Sequence, residues 1–385
     1  MKSIFLSKFL WLIVCIFSVS ALTAQDTTTY KTYLNSGFSK YKDKDYKGAI
    51  ADLDKAIEKK YDCATAFYYR GICKWNSNKD GQGALADFDN SIKYADDIPD
   101  YYFSRAQTRY EMKDTAGAIA DYNKILLLSP TYENAFLELG KIYYFNKKYT
   151  DAIAEFDKAI VTKPDLALAY YYRGMSKKLG NKDNQGALTD FNSAIQYKPD
   201  NVDYYFSRAL TKFELKDSTG TIADYTKIIE LKPTGERAYF ERAKIKMFTK
   251  DFKGAVADFK SATQMKADYF EAYNLLGKAS LLEKDTVGAL ASFNKAIELK
   301  SDYTSAYINR GNLKLGQKDY EGAKTDFTKI IELKPTESSA YFTRGKIELK
   351  LKQMTEACAD FNKAKELGYA KADEMITKYC KDLPK

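Results

Sequence analysis

The stretch TYENAFLELGKIYYFNKKYTDAIAEFDKAIVTKP, Thr131 to Pro164, holds one copy of the pattern that decides the fold. Its first half sets Phe136, Leu139, Gly140, Tyr143 and Tyr144 at the three- and four-residue spacing of one helical face. Asn146-Lys147-Lys148 breaks that spacing. The second half resumes it with Ala152, Ile153, Phe156, Ala159 and Ile160. Pro164 stops it, because proline has no N–H to donate and crowds the preceding turn. The spacing predicts two helices, Tyr132 to Asn146 and Tyr149 to Thr162, folded back on each other.

Working outward, the pattern recurs ten times. The small residue of the second helix falls at Ala49, Ala84, Ala118, Ala152, Ala187, Thr221, Ala255, Ala289, Ala323 and Ala357, at intervals of 34 residues with two of 35. A period of that length marks stacked supersecondary units rather than a closed globule. One unit cannot bury its apolar face alone, so its neighbours must cover it. Each first helix carries its own small residue, at Gly37, Gly71, Ala106, Gly140, Gly174, Ala209, Ala243, Gly277, Gly311 and Gly345. Antiparallel helices approach closely only where both are small. The residue four past each second-helix step then fills the space beside the crossing: Leu53, Phe88, Tyr122, Phe156, Phe191, Tyr225, Phe259, Phe293, Phe327 and Phe361. This stripe reads as core, and the repeat array as a whole accounts for the 15% aromatic content.

These residues resemble the tetratricopeptide repeat, a 34-residue helix–turn–helix with small residues in both helices, an aromatic in the second and a closing proline. The resemblance covers roughly Tyr30 to Gly368. Thr221 departs from it in place of alanine, and Tyr61, Asp96, Ala267, Ser301 and Tyr369 depart in place of proline. It implies an all-α, right-handed solenoid of antiparallel helix pairs, with the first helices lining a concave, ligand-holding face. The chain then divides into a leader (1–24), a polar lead-in (25–29), ten tandem units (30–368) and a capping helix with tail (369–385). The cap is expected from Tyr369 to Leu383. A second order of similarity is visible at an offset of 103 residues, as Asp100-Tyr-Tyr-Phe-Ser-Arg-Ala106 returns at Asp203 to Ala209. Duplication of a three-unit block explains it. The two 35-residue units are also 103 apart, and each is expected to carry its extra residue in the inter-helix turn.

Two charged positions travel together. Seven first helices have Arg before the small residue: Arg70, Arg105, Arg173, Arg208, Arg242, Arg310 and Arg344. The matching second helices carry Asp87, Asp121, Asp190, Asp224, Asp258, Asp326 and Asp360. Leu139 goes with Glu155 and Leu276 with Ser292, while Ser36 with Asp52 is the exception. Such correlation within one chain predicts contact, and the residues read as a ladder of structural ion pairs rather than catalytic charges. Arg208→Ala should therefore cost more stability than Lys212→Ala.

The resemblance assigns partner binding to the first-helix positions three before the small residue. The groove candidates are Tyr68, Phe103, Tyr171, Phe206, Phe240, Ile308 and Phe342, with Leu137 at the same place, and two readings of the row stand side by side: an exposed protein-binding surface, or rings packed against the neighbouring unit. One turn on lie Gln107, Lys141, Lys244, Lys278 and Lys346. Some family members clamp a terminal carboxylate with Lys and Asn, but the matching Asn set is missing here.

Lys2 and Lys8 flank a short basic start, Phe9 to Phe17 is an unbroken apolar run, and small residues lead to Ala24. That is the plan of a cleaved secretory signal, with cleavage after Ala24 or Ala21. Phe9 to Ala24 is too short for the roughly 20 residues that span a bilayer. Export permits disulfides, and Cys358 and Cys380 lie on either side of Gly368, where an antiparallel last helix would bring them together. Cys63 and Cys73, ten residues apart on one helix, would be about 15 Å apart and are not expected to pair.

The chain has no histidine, which excludes histidine bases, triads and metal ligands. It has no phosphate-binding G-x-x-x-x-G-K-[ST] loop and no nucleophile elbow. No cofactor and no metal is expected. The net charge of +9 is dispersed among acids, so nucleic acid is not an expected partner. The reading is an exported, non-enzymatic scaffold for a protein or peptide. A cell-envelope structural or assembly factor at a membrane complex is the alternative.

Overall fold

The computed structural model describes residues 29–380. The leader and nearly all of the lead-in lie outside the described residues. Within them every regular element is a helix. The helices come in antiparallel pairs, one pair per repeat, and the chain divides into two compact units at Lys198 and Pro199. The first unit holds repeats one to five: residues 29–42 with Tyr46–Lys59, Ala64–Asn78 with Gly81–Tyr94, Pro99–Glu111 with Thr115–Leu128, Glu133–Phe145 with Tyr149–Thr162, and Ala167–Ser176 with Asn184–Tyr197. The second holds repeats six to ten: Val202–Glu214 with Ser218–Leu231, Glu236–Phe248 with Phe252–Met265, Phe270–Leu282 with Thr286–Leu299, Thr304–Gly316 with Tyr320–Leu333, and Ser338–Lys350 with Met354–Glu366.

The core of each pair is the small-on-small crossing. A Cβ built on Gly140 would stand 2.5 Å from Phe156 Cε1, and Ala152 and Phe156 are fully buried. The helices are thus as close as the ring permits. In nine repeats the second helix leaves the α-region one residue after its last turn, as Lys163 does at φ −136° before Pro164. Lys60 and Lys300, which precede Tyr61 and Ser301, adopt the same extended geometry. The stop therefore does not require the proline.

The inter-helix turn has a chemistry of its own. Ten lysines, from Lys44 to Lys352, occupy left-handed backbone at φ between 54° and 70°. In repeat three the Lys113 N–H donates to Tyr110 O at 2.9 Å and the Asp114 N–H to Arg109 O at 2.8 Å, which satisfies the last carbonyls of the first helix. The next residue caps the second helix. In eight repeats it is Asp, and its carboxylate accepts from the N–H of a glycine three residues on, as Asp217 does from Gly220 at 2.8 Å. A Cβ at Gly220 would collide with that carboxylate. Repeats four and ten have Lys148 with Asp151 and Gln353 with Glu356, so cap and glycine are lost together. Asp217→Ala should destabilise by about 1 kcal/mol. Gly220→Ala should be near neutral in the native chain, where its helix propensity offsets a displaced cap, but stabilising by about 0.5–1 kcal/mol in the Asp217→Ala background. A double-mutant cycle by urea denaturation measures both.

Two expectations need correction. The extra residue of the 35-residue repeats is not in the turn. Repeat two lengthens its first helix to 15 residues, and repeat five continues into a π-turn, Lys177–Asn181. Widening a helix by one residue keeps the lysine–aspartate cap in register, whereas a longer turn would displace it. The cap helix is also shorter than expected, Ala372–Tyr379. Tyr369 instead turns its ring onto Phe342, with centroids 4.6 Å apart. Cys358 and Cys380 are joined as a disulfide with Cα atoms 5.7 Å apart, tying the cap helix to repeat ten. Cys63 and Cys73 are free and buried, and burial pushes the Cys73 thiol up to about 11.

Candidate functional site

Every Arg of the ladder grips the Asp of its own repeat. Arg105 Nε and Nη2 donate to the two carboxylate oxygens of Asp121 at 3.0 and 2.6 Å, and the same fork joins Arg70 to Asp87, Arg173 to Asp190, Arg208 to Asp224, Arg242 to Asp258, Arg310 to Asp326 and Arg344 to Asp360. The aspartates are buried. Each guanidinium also lies 5.3–5.8 Å from the aromatic ring three residues before it.

Two partners of this ladder are absent from the sequence reading. The remaining Arg nitrogen, Nη1, reaches the second helix of the preceding repeat: Asp54, Asp89, Asp157, Thr226, Asn294 and Thr328 accept at 2.6–3.1 Å. Asn123 and Lys260 hold that position where no Arg follows. The ladder therefore joins repeats as well as helices. A second cation, one turn past the Arg, completes most sites. Lys74, Arg109, Lys177, Lys212, Lys246 and Lys314 contact the same aspartates at 2.8–3.1 Å. Lys212 is thus part of the ladder, not a neutral comparison for Arg208. In repeat one, Lys40 and Ser36 bond to Asp52 and hold its carboxyl below the usual range.

Repeat ten reverses the scheme. Glu348 stands where seven other repeats have Lys or Arg. Lys324, at a position that is otherwise apolar, meets its Oε1 at 3.2 Å. Glu348 is buried and its Oε2 has no hydrogen-bond partner. Burial, then the neighbouring Asp360, raises its pKa. A raised carboxyl pKa means the folded state holds the proton more tightly. Its favourable contribution is therefore complete below the unfolded pKa and is lost as pH rises through the folded one. Glu348→Gln should gain on the native chain as pH increases above 4.5. Melting temperatures across a pH series read this, and parallel curves would refute it.

On the first-helix face the packed reading of the groove row holds. The aromatic groove candidates are not an exposed row. Tyr68, Phe103, Tyr171, Phe206, Phe240 and Phe342 are half-buried, and Leu137 is buried. The reason is packing. Phe103 lies edge-on to Tyr122 at 5.6 Å and against Tyr132 at 5.7 Å. Tyr68, Tyr171, Phe206, Phe240 and Phe342 pack likewise on Phe88, Phe191, Tyr225, Phe259 and Phe361. Ile308 is 37% exposed.

The open surface lies one turn further along each first helix. Two cavities open on this face of the first unit. One, of about 440 Å³, is lined by Tyr41, Tyr68, Ile72, Trp75, Asn76, Phe88, Phe103, Ser104, Gln107 and Thr108. The other, of about 460 Å³, is lined by Trp75, Gln107, Tyr110, Glu111, Tyr122, Glu138, Lys141, Ile142, Phe145 and Tyr172. Trp75 and Gln107 belong to both, so the cavities form one trough across repeats one to five. Trp75, Tyr110 and Phe145 escaped the sequence reading because they lie four and five residues past the small residue, where side chains at the helix end are freed from the crossing. In the second unit the same helix end exposes Phe248 (66%) and Leu282 (49%). Among the described residues no cluster of metal-ligating side chains is found, and no helix is long and apolar enough to cross a membrane.

Comparison with known proteins agrees with this architecture. Family models described as tetratricopeptide repeat match residues 103–167, 240–304, 304–337 and 338–367, together about half of the chain. Among solved structures, the C-terminal part of a TPR repeat-containing protein from Cytophaga hutchinsonii is similar at 18% identity and a TM-score of 0.51, over 72% of this chain and 98% of that one. A tetratricopeptide repeat protein from Parabacteroides merdae is 22% identical over 66% of this chain and 99% of its own, with a TM-score of 0.47. YrrB, described as a TPR protein with an unusual peptide-binding site, is 18% identical over 48% of this chain and 95% of its own, with a TM-score of 0.44. No curated protein sequence gives a match. The ten helix pairs, the small-residue crossings and the matching family models place this chain in the tetratricopeptide repeat family.

Proposed function

We propose that the protein is an exported, non-enzymatic scaffold that binds a protein or peptide along the first-helix face of its repeats. The observation that carries this reading is the continuous trough of the first unit. Its aromatic side chains line open cavities while the ladder charges are consumed in holding repeats together. Apolar surface at this density, rimmed by polar groups, is characteristic of interaction sites. Export rests on the leader at residues 1–24, and the disulfide between Cys358 and Cys380 suits an oxidising compartment.

Site-specific photocrosslinking in the producing cell tests the surface. A photoreactive residue at Gln107, exposed in the trough, should trap a polypeptide. The same residue at Val161, which is 82% exposed on a second helix, should not. Equal trapping at both, or none at Gln107, would overturn the assignment. Fractionation with an antiserum tests export: mature protein confined to the cytosol would reject it, and co-sedimentation with membranes would favour an envelope assembly role.

A further inference from the structure

We propose that the cavity spanning repeats two to five accepts a cationic side chain, lysine or arginine, presented by an extended peptide. This rests on the first-helix face being the partner surface. The walls are aromatic: Trp75, Tyr110, Phe145 and Tyr172. Ring faces are electronegative and attract ammonium and guanidinium groups. Trp75 already does so, with Lys79 Nζ 4.8 Å from its centroid.

The polar groups favour the same charge. Lys141 is held by both carboxylate oxygens of Glu138 at 2.8 Å each, which leaves that pair neutral. Glu111 is exposed and forms no ion pair among the described residues, so the cavity carries one uncompensated negative charge. Burial first, then Glu138 and Glu111, resists ionisation of the Tyr110 hydroxyl. An anionic side chain would face Glu111 and the ring faces together. An apolar one would cover the rings but strip water from Glu111 without replacing it. A cation on an aliphatic stem satisfies both surfaces.

The internal duplication supplies a contrast. At the 103-residue offset Glu214, Glu241, Lys244 and Phe248 return for Glu111, Glu138, Lys141 and Phe145, but Lys178 and Leu275 stand for Trp75 and Tyr172. Two of the ring walls are not repeated in the sequence, and a cation stands for one of them, so the set of residues is not duplicated along the chain.

The probe is a phage-displayed library of random linear peptides, selected on the full mature chain. Enriched peptides should share a Lys or Arg at one register. A fluorescent version of the best peptide should lose about tenfold in affinity when that residue becomes norleucine or citrulline, and a similar factor in Glu111→Gln but not in Glu214→Gln. Circular dichroism would verify that the variants fold. Enriched peptides without a shared basic residue, or affinity indifferent to Glu111→Gln, would overturn the cation site. If such binding is still lost in Trp75→Ala and Phe145→Ala, the trough remains the partner surface. A library that yields no binder, or binding that survives both substitutions, would overturn both readings.

Discussion

Arg242→Ala is expected to destabilise the second unit by about 3–5 kcal/mol, the loss that follows when one partner of a buried ion pair is removed. Asp258, 4% exposed, would lose the two donors that grip both its oxygens, at 2.8 and 2.7 Å. Thr226, on the preceding repeat, would lose its donor at 2.9 Å, so the change weakens a helix pair and an inter-repeat joint together. Lys246→Ala should cost less. It removes a single contact of 2.8 Å to the same carboxylate and leaves the fork in place. Lys227→Ala is the neutral reference, because its pair with Glu230 is solvent-exposed and such pairs contribute about 0–1 kcal/mol. Urea denaturation followed by circular dichroism gives the order Arg242, Lys246, Lys227. An Arg242→Ala midpoint equal to that of Lys227→Ala would show that the ladder carries no stability.

Phe156→Ala should be of similar size, about 3–5 kcal/mol, for a different reason. Phe156 is fully buried and its ring edge lies against Gly140, the point of closest helix approach. Truncation loses the transfer free energy of the ring and leaves a cavity that the adjacent backbone cannot close. Val161→Ala, five residues further along the same helix, removes apolar atoms from a side chain that is 82% exposed, and should fall within about 0.5 kcal/mol of the native chain. If the two variants melt together, Phe156 is not the keystone of its repeat.

Much of the fold was legible because the repeat is local. Small residue, aromatic and helix break recur at a fixed period, and each repeat is held chiefly by its neighbours. Thr131 to Pro164 alone therefore predicts helices within two residues of Glu133–Phe145 and Tyr149–Thr162. The Arg–Asp correlation was legible for the same reason, since contact partners within a repeat keep a constant separation. The lysine–aspartate–glycine turn was equally present in the sequence and was passed over, because a left-handed lysine is an unusual choice where glycine or asparagine is the norm.

The first-helix surface was less legible. Tyr68, Phe103 and Phe240 occur at groove positions, yet their rings are half-consumed by Phe88, Tyr122 and Phe259. Residue type and register do not distinguish a ring that packs inward from one that faces solvent. By itself the sequence determined ten tandem helix pairs, their packing positions and the Arg–Asp pairs within each repeat, all of which depend on spacing along the chain. Only the tertiary structure decided which aromatics line a common cavity. Trp75, Tyr110, Phe145 and Tyr172 come from four different helices, and they line one cavity only because stacking sets those helix ends side by side.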